Sequence, residues 1–150
     1  MIKKKHSPFL HLLLFGISLV TTIIAGMEWI SPTPGPYSLL ELTKAVPYSL
    51  SILFIIGVHE FGHYFAARFH HVDTTLPYFI PFPPIAGFLN FGTMGAVIRT
   101  RSVVMNNRAM FDIGVAGPIA GFVASIIVLI YGFTHLPGVE YLLAIHPDYF

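Results

Sequence analysis

Three stretches of this chain, at about residues 10–27, 46–69 and 111–133, are long and almost wholly apolar. A hydrocarbon core about 30 Å thick is crossed by roughly 17–25 apolar residues in a helix, so each stretch is long enough to span it. Lipid offers no hydrogen bonds to the backbone, so a spanning segment must satisfy its own amides. Runs of this length therefore predict helices. Composition agrees, with 10% of residues charged and 55% hydrophobic, against about 25% charged in an ordinary soluble domain. The expected fold class is an all-α polytopic membrane protein, a single membrane-embedded domain over residues 1–150 with the lipid bilayer as its surroundings. The formal net charge of +1 gives no electrostatic reason to expect a nucleic-acid partner. With no cysteine, the chain has neither disulfides nor thiolate metal ligands.

The second run carries the chemistry. His59-Glu60-Phe61-Gly62-His63 sits in its later half, between Ile52–Val58 and Tyr64–Ala67. Two histidines four apart on a helix share one face, about one turn from each other. Both imidazoles can then reach a single metal ion, and H-E-x-x-H is the zinc-hydrolase spacing. In it His59 and His63 are the ligands, and Glu60 is the base that takes a proton from a metal-activated water. Ionisable residues at such depth are costly and mark function with a nearby partner. The competing structural reading is a buried helix whose histidines are satisfied by neighbours, with Glu60 held by Arg68 or a hydroxyl.

The flanking segments set the organisation. Lys3, Lys4 and Lys5 precede the first run, which is longer than a usual signal-peptide core. Its Ala25-Gly26 exit is a poor cleavage site, so an uncleaved span is expected. Ser31–Pro36 breaks the first helix, and Tyr37–Ala45 is a short, mildly amphipathic connector. His70 and His71, just past the second run, are expected to be interfacial or solvated side chains rather than metal ligands. The segment from Val72 to Arg108, with prolines at 77, 81, 83 and 84 and glycines at 87, 92 and 95, is not a helix by pattern. It is long and apolar enough to be functional, and Gly95–Arg99 reads as a short extended strand. The alternative is a loop on the headgroup layer anchored by Tyr78, Phe79, Phe82 and Phe88. Asp112 opens the third run, where an acid suits the positive end of a helix dipole. Gly114, Ala116, Gly117, Ala120 and Gly121 give that run a small side for close helix packing, and Pro118 is expected to loosen it.

Charge gives an orientation. Lys3–Lys5, Arg68, Arg99, Arg101 and Arg108 flank one end of the spans and only Lys44 the other. The positive-inside rule then places the N-terminus and the long loop in the cytoplasm. A multi-pass protein of a prokaryotic cytoplasmic membrane is expected.

Taken together, the motifs resemble the site-2 protease family of intramembrane zinc metalloproteases, over roughly Pro47 to Phe133. The resemblance rests on the His59–His63 motif in a spanning helix, Pro77-Tyr78-Phe79-Ile80-Pro81, Gly92-Thr93-Met94-Gly95-Ala96 and Asn107 through Gly121. The last block is similar to the bacterial, cyanobacterial and plastid branch. The resemblance implies regulated intramembrane proteolysis of a transmembrane protein substrate, with zinc held by His59 and His63 and Glu60 as general base. It also implies that the Pro/Gly-rich loop between the second and third spans is a re-entrant β-hairpin. Its edge, Gly95, Ala96, Val97 and Ile98, would pair with an extended substrate.

One family feature is missing from these residues. The third zinc ligand, an aspartate in an Asn…Pro…Leu-Asp-Gly pattern of a later helix, has no counterpart here. Asp112 and Asp148 are poor substitutes, the first explained by helix position and the second outside any apolar run. The simpler expectation is that the chain stops before that helix and would not be active alone. The alternative function is a non-catalytic membrane scaffold of the same fold that binds membrane segments without cleaving them. A proton- or metal-moving relay is disfavoured, because the other spans offer little beyond Thr21, Thr22 and Ser125.

Overall fold

A computed structural model describes residues 8–31, 36–83, 90–104, 106–136 and 138. Helix α1 covers Pro8–Ile30, α2 Leu39–Leu42, α3 Val46–Phe69 and α4 Asn107–Thr134, with strands β1 Tyr78–Pro81 and β2 Thr93–Val97 between α3 and α4. Among the described residues three helices are long and apolar enough to cross a membrane: Pro8–Ile30, Leu39–Phe69 and Asn107–Thr134. This is the expected all-α architecture with a small hairpin between the second and third spans. The first and third helices overrun the expected limits of 10–27 and 111–133 because polar residues at their ends, such as Glu28 and Arg108, still fit a helical turn.

Local chemistry sets the boundaries. Pro8 starts α1, where its missing amide is harmless. Ser38 and Glu41 form a capping box at α2: the Glu41 amide donates to Ser38 Oγ at 3.3 Å, and the Ser38 amide donates to Glu41 Oε2 at 2.7 Å. Helix α3 ends in a paired reversal. His71 takes the left-handed conformation at φ 57°. Its amide donates to the Arg68 carbonyl at 3.1 Å, and the Val72 amide to that of Ala67 at 2.8 Å. This is the Schellman arrangement, usually built on glycine.

Helices α1 and α3 are joined by small and hydroxylic side chains. Thr22 and Ser49, both fully buried, hydrogen-bond to each other at 2.5 Å. A Cβ on Gly26 would meet the Tyr48 ring at 2.7 Å, so the backbones approach closely there. Leu53, Phe79 and Ala96 form the buried apolar cluster, with Leu19, Ile52 and Ile56 packed on it. The hairpin is thereby built into the core between α1 and α3, and Phe79 is not a headgroup anchor. Phe88 lies outside the described residues.

The hairpin lies along α1. Strands β1 and β2 are antiparallel, pairing Tyr78 with Val97, Phe79 with Ala96 and Pro81 with Thr93, with a bulge between Phe79 and Pro81. Gly95, at φ 103°, supplies the conformation that the irregularity needs. Four bonds tie the segment to helices: His11 Nδ1 with the Pro77 carbonyl at 3.1 Å, Thr21 Oγ1 to the Gly92 carbonyl at 2.6 Å, Trp29 Nε1 to the Asn90 carbonyl at 3.0 Å and Tyr48 OH to the Phe91 carbonyl at 3.3 Å. His11 to Trp29 is about 27 Å of helix. The irregular backbone thus runs at the depth of the spans, tied there to α1 and α3.

Candidate metal centre

Helix α3 packs antiparallel on α4, and the pairing is residue-specific. A Cβ on Gly121 would lie 2.9 Å from His59 Nδ1, and one on Gly62 would lie 2.6 Å from the Ala116 carbonyl oxygen. A Cβ on Gly117 would fall within the His63 ring. The two glycines of α4 therefore share the four-residue spacing of the two histidines of α3, and each histidine packs against bare backbone. Sequence reasoning saw these glycines as a packing surface. The matching spacing was the signal that they form the floor of the site.

The three motif side chains converge. His59 and His63 Nε2 are 3.1 Å apart, and the ligand atoms of His59, Glu60 and His63 all lie within 4.8 Å of one another. His63 Nδ1 lies 2.6 Å from the Ile113 carbonyl oxygen. A carbonyl only accepts, so Nδ1–H donates and Nε2, facing His59 Nε2, carries the lone pair. That is the outer partner a metal-binding histidine ordinarily has. No side-chain pattern could have revealed it, since the acceptor is backbone. Zinc–nitrogen bonds of about 2.0–2.1 Å in a tetrahedron place two nitrogens roughly 3.3 Å apart. The donor pair is within a few tenths of an ångström of that, so these residues fit a zinc ion.

Glu60 faces the hairpin. Its Oε2 accepts the Ile98 amide at 3.1 Å, so neither Arg68 nor a hydroxyl holds it. Arg68 pairs instead with Asp73 at 3.5 Å. An open groove of about 290 Å³ is lined by Glu60, His63, Val97, Ile98, Thr100 and Ile113. It joins the motif to the end of β2. Of the expected strand residues, Gly95, Ala96 and Val97 lie in β2, and Ile98 follows directly after it.

The two aspartates considered as ligands do not join this group. Asp112 lies in the second turn of α4, not at its start, because the helix begins at Asn107 with Asn106 as its cap. The dipole account of Asp112 therefore fails, and the residue has a different partner. His70 Nε2 lies 2.9 Å from Asp112 Oδ2, so His70, at the end of the span, is a half-buried bridge to α4 and not a solvated side chain. Asp148 lies outside the described residues.

The model of Peptidase family M50 matches residues 47–145. The chain belongs to that family, the site-2 protease family. Among curated M50-type relatives, the Oryza sativa subsp. indica protein named "Probable zinc metalloprotease EGY2, chloroplastic" is 37% identical over 112 residues, 74% of this chain and 19% of that protein. "Probable zinc metalloprotease EGY1, chloroplastic" of Oryza sativa subsp. japonica is 36% identical over 105 residues, covering 68% of this chain and 17% of that protein. The Arabidopsis thaliana protein carrying the EGY2 name is 32% identical over 94 residues, 62% and 16% respectively. The chain thus spans less than a fifth of the length of these curated relatives. No solved structure matches. The relatives' chloroplast location conflicts with the expected prokaryotic cytoplasmic membrane. For this M50 chain, three membrane-length helices support an integral membrane protein.

Proposed function

We propose that this chain carries the catalytic motif of a zinc-dependent intramembrane endopeptidase that cleaves transmembrane protein substrates. The observation that carries the reading is the facing pair of Nε2 atoms at 3.1 Å, with His63 held in the ligand tautomer by the Ile113 carbonyl. His59 and His63 would hold the ion, and Glu60 would be the proton acceptor. Zinc bound there would supply Lewis acidity, polarising a peptide carbonyl and acidifying a water molecule. Glu60 has one oxygen on the Ile98 amide and the other free to take the proton of that water. The water oxygen bonds to the carbonyl carbon, the peptide C–N bond breaks, and Glu60 returns the proton to the departing nitrogen.

The substrate would lie as a strand on the outer edge of β2, at Gly95, Ala96, Val97 and Ile98. Arg99 accepts the Thr75 amide at 3.0 Å and donates to Thr75 Oγ1 at 3.1 Å, so it faces the β1 side. Ile98 faces the opposite way, toward Glu60. Alternation along an extended strand would then turn the amide and carbonyl of Ala96 away from β1 too, toward an unwound segment laid on that edge.

The test uses the full-length protein in detergent with a model membrane substrate. Glu60→Gln should keep zinc and lose on the order of 10²–10⁴ in turnover, while His59→Ala and His63→Ala should lose zinc. Unchanged zinc in both histidine variants would sink the metal assignment. Binding of membrane segments without any turnover by the unsubstituted, zinc-loaded protein would leave the scaffold reading.

A further inference from the structure

We infer that His70 and Asp112 are positioning residues for the metal centre, clamping the register of α3 against α4 that holds His63 in its ligand tautomer. The inference rests on the reading above that His63 is a zinc ligand. His70 is seven residues beyond His63, two turns along the same face of α3, at the end of that helix. Its Nε2–H donates to Asp112 Oδ2 at 2.9 Å. Asp112 is the immediate neighbour of Ile113, whose carbonyl accepts from His63 Nδ1 at 2.6 Å. A side-chain bridge and a backbone contact therefore leave consecutive residues of α4 for two histidines of α3.

The arrangement demands register. A slip of one residue along α4 moves the facing groups by about 1.5 Å, which lengthens and tilts the 2.6 Å contact of His63 Nδ1 with the Ile113 carbonyl. The same slip would set a residue with a Cβ in place of Gly117, where the His63 ring leaves no room. The glycine floor opposes such a slip by steric exclusion alone and makes no directional bond. Glycines permit close approach without directing it, and apolar contact between helices in lipid is weakly specific. The pair at His70 and Asp112 is directional, and it closes the end of the α3–α4 seam nearest the His63 contact. Pro118, inside α4, cannot donate to the Gly114 carbonyl and loosens the turn beside Ile113. A restraint on that turn from its N-terminal side is then needed most.

The test measures metal affinity and site geometry apart from turnover. The full-length chain in detergent is titrated with zinc against a chelator and with cobalt, whose visible spectrum reports ligand geometry. His70→Ala and Asp112→Ala should each weaken zinc binding by about tenfold, the low end for outer partners of a metal site, and should alter the cobalt spectrum at saturation. His70→Gln, which keeps a donor, and Asp112→Asn, which keeps an acceptor, should restore most of the affinity and the spectrum. Arg68→Ala removes a neighbouring surface pair with Asp73 and should change neither. Helical circular dichroism and melting of the metal-free variants identify any that fail to fold, in which case the Gln and Asn variants decide. Unaltered affinity and spectrum in both Ala variants, or equal loss in Arg68→Ala, would overturn the inference. Retention of zinc by His59→Ala and His63→Ala would instead overturn the metal assignment itself.

Discussion

Gly117 shows how tightly the centre is specified at single residues. A methyl group there would occupy the position of the His63 ring, whereas one on Gly114, a turn earlier, would meet nothing within 4 Å. Gly117→Ala should therefore lower zinc content and destabilise the protein by about 1–3 kcal/mol, as overpacking does. Gly114→Ala should keep zinc and stabilise by about 0.5–1 kcal/mol, because alanine is the better helix former. Zinc content and detergent melting of the pair check both, and equal behaviour would mean that α4 does not present Gly117 to the ring. His59, Glu60 and His63 were legible in the sequence because a side-chain motif records them. The Ile113 carbonyl and the Ile98 amide were not, since backbone groups leave no trace in residue identity. Asp112 was legible as a polar residue in an apolar run, but its partner was not, because His70 is 42 positions away and only tertiary packing joins them.

Among the elements, α3 was placed to the residue by its apolar run, from Val46 to Phe69. Its ending was hidden, because His71 does in the left-handed region what glycine ordinarily does. Relieving that conformation is worth about 1–2 kcal/mol, less about 0.5–1 kcal/mol for the freer unfolded chain. His71→Gly should therefore stabilise by about 0.5–1 kcal/mol in detergent unfolding, and a loss of stability would show that the His71 side chain has a role the backbone geometry does not reveal. Prolines and glycines marked the loop as non-helical and Gly95–Arg99 read as a strand, while the hairpin itself was implied only by the family resemblance. Its anchorage was not legible, since Thr21 and Thr22 looked incidental in an apolar helix. Thr22 in fact joins α1 to Ser49 of α3, and Thr21 holds Gly92. At the proposed substrate edge of β2, Ala96→Pro would delete an amide that strand alternation turns away from β1, a position where strands tolerate proline. It should raise KM for a transmembrane substrate with zinc content unchanged. Unaltered KM would argue against strand pairing at that residue.

Across the whole molecule, charge and architecture share one axis. His11, near the start of α1, meets Pro77 shortly after the end of α3, while Gly26 packs against Tyr48 and Ala45 near the start of α3. The helices α1 and α3 are thus antiparallel, as are α3 and α4. Arg68, Arg99, Arg101 and Arg108 consequently gather at the end where α1 begins, α3 ends and α4 begins, and Lys44 lies at the other. Glu60 is nine residues from the arginine end of α3 and fourteen from its start, about 14 and 21 Å of helix. The metal centre therefore lies below the midpoint of the span, nearer the arginine end. The positive-inside rule predicts that this end faces the cytoplasm when the protein is made in a bacterial inner membrane. The absence of cysteine from these 150 residues makes the prediction direct to test, because a thiol introduced here has no other in the segment to compete with it. Val103 and Leu39 mark the two ends, at 79% and 86% exposure. Val103→Cys should react with a membrane-impermeant maleimide only after the cells are opened, and Leu39→Cys should react in intact spheroplasts. The reverse pattern would invert the protein in the membrane and put the groove of Glu60, Val97 and Ile98 on the external side, so that substrates would reach it from there.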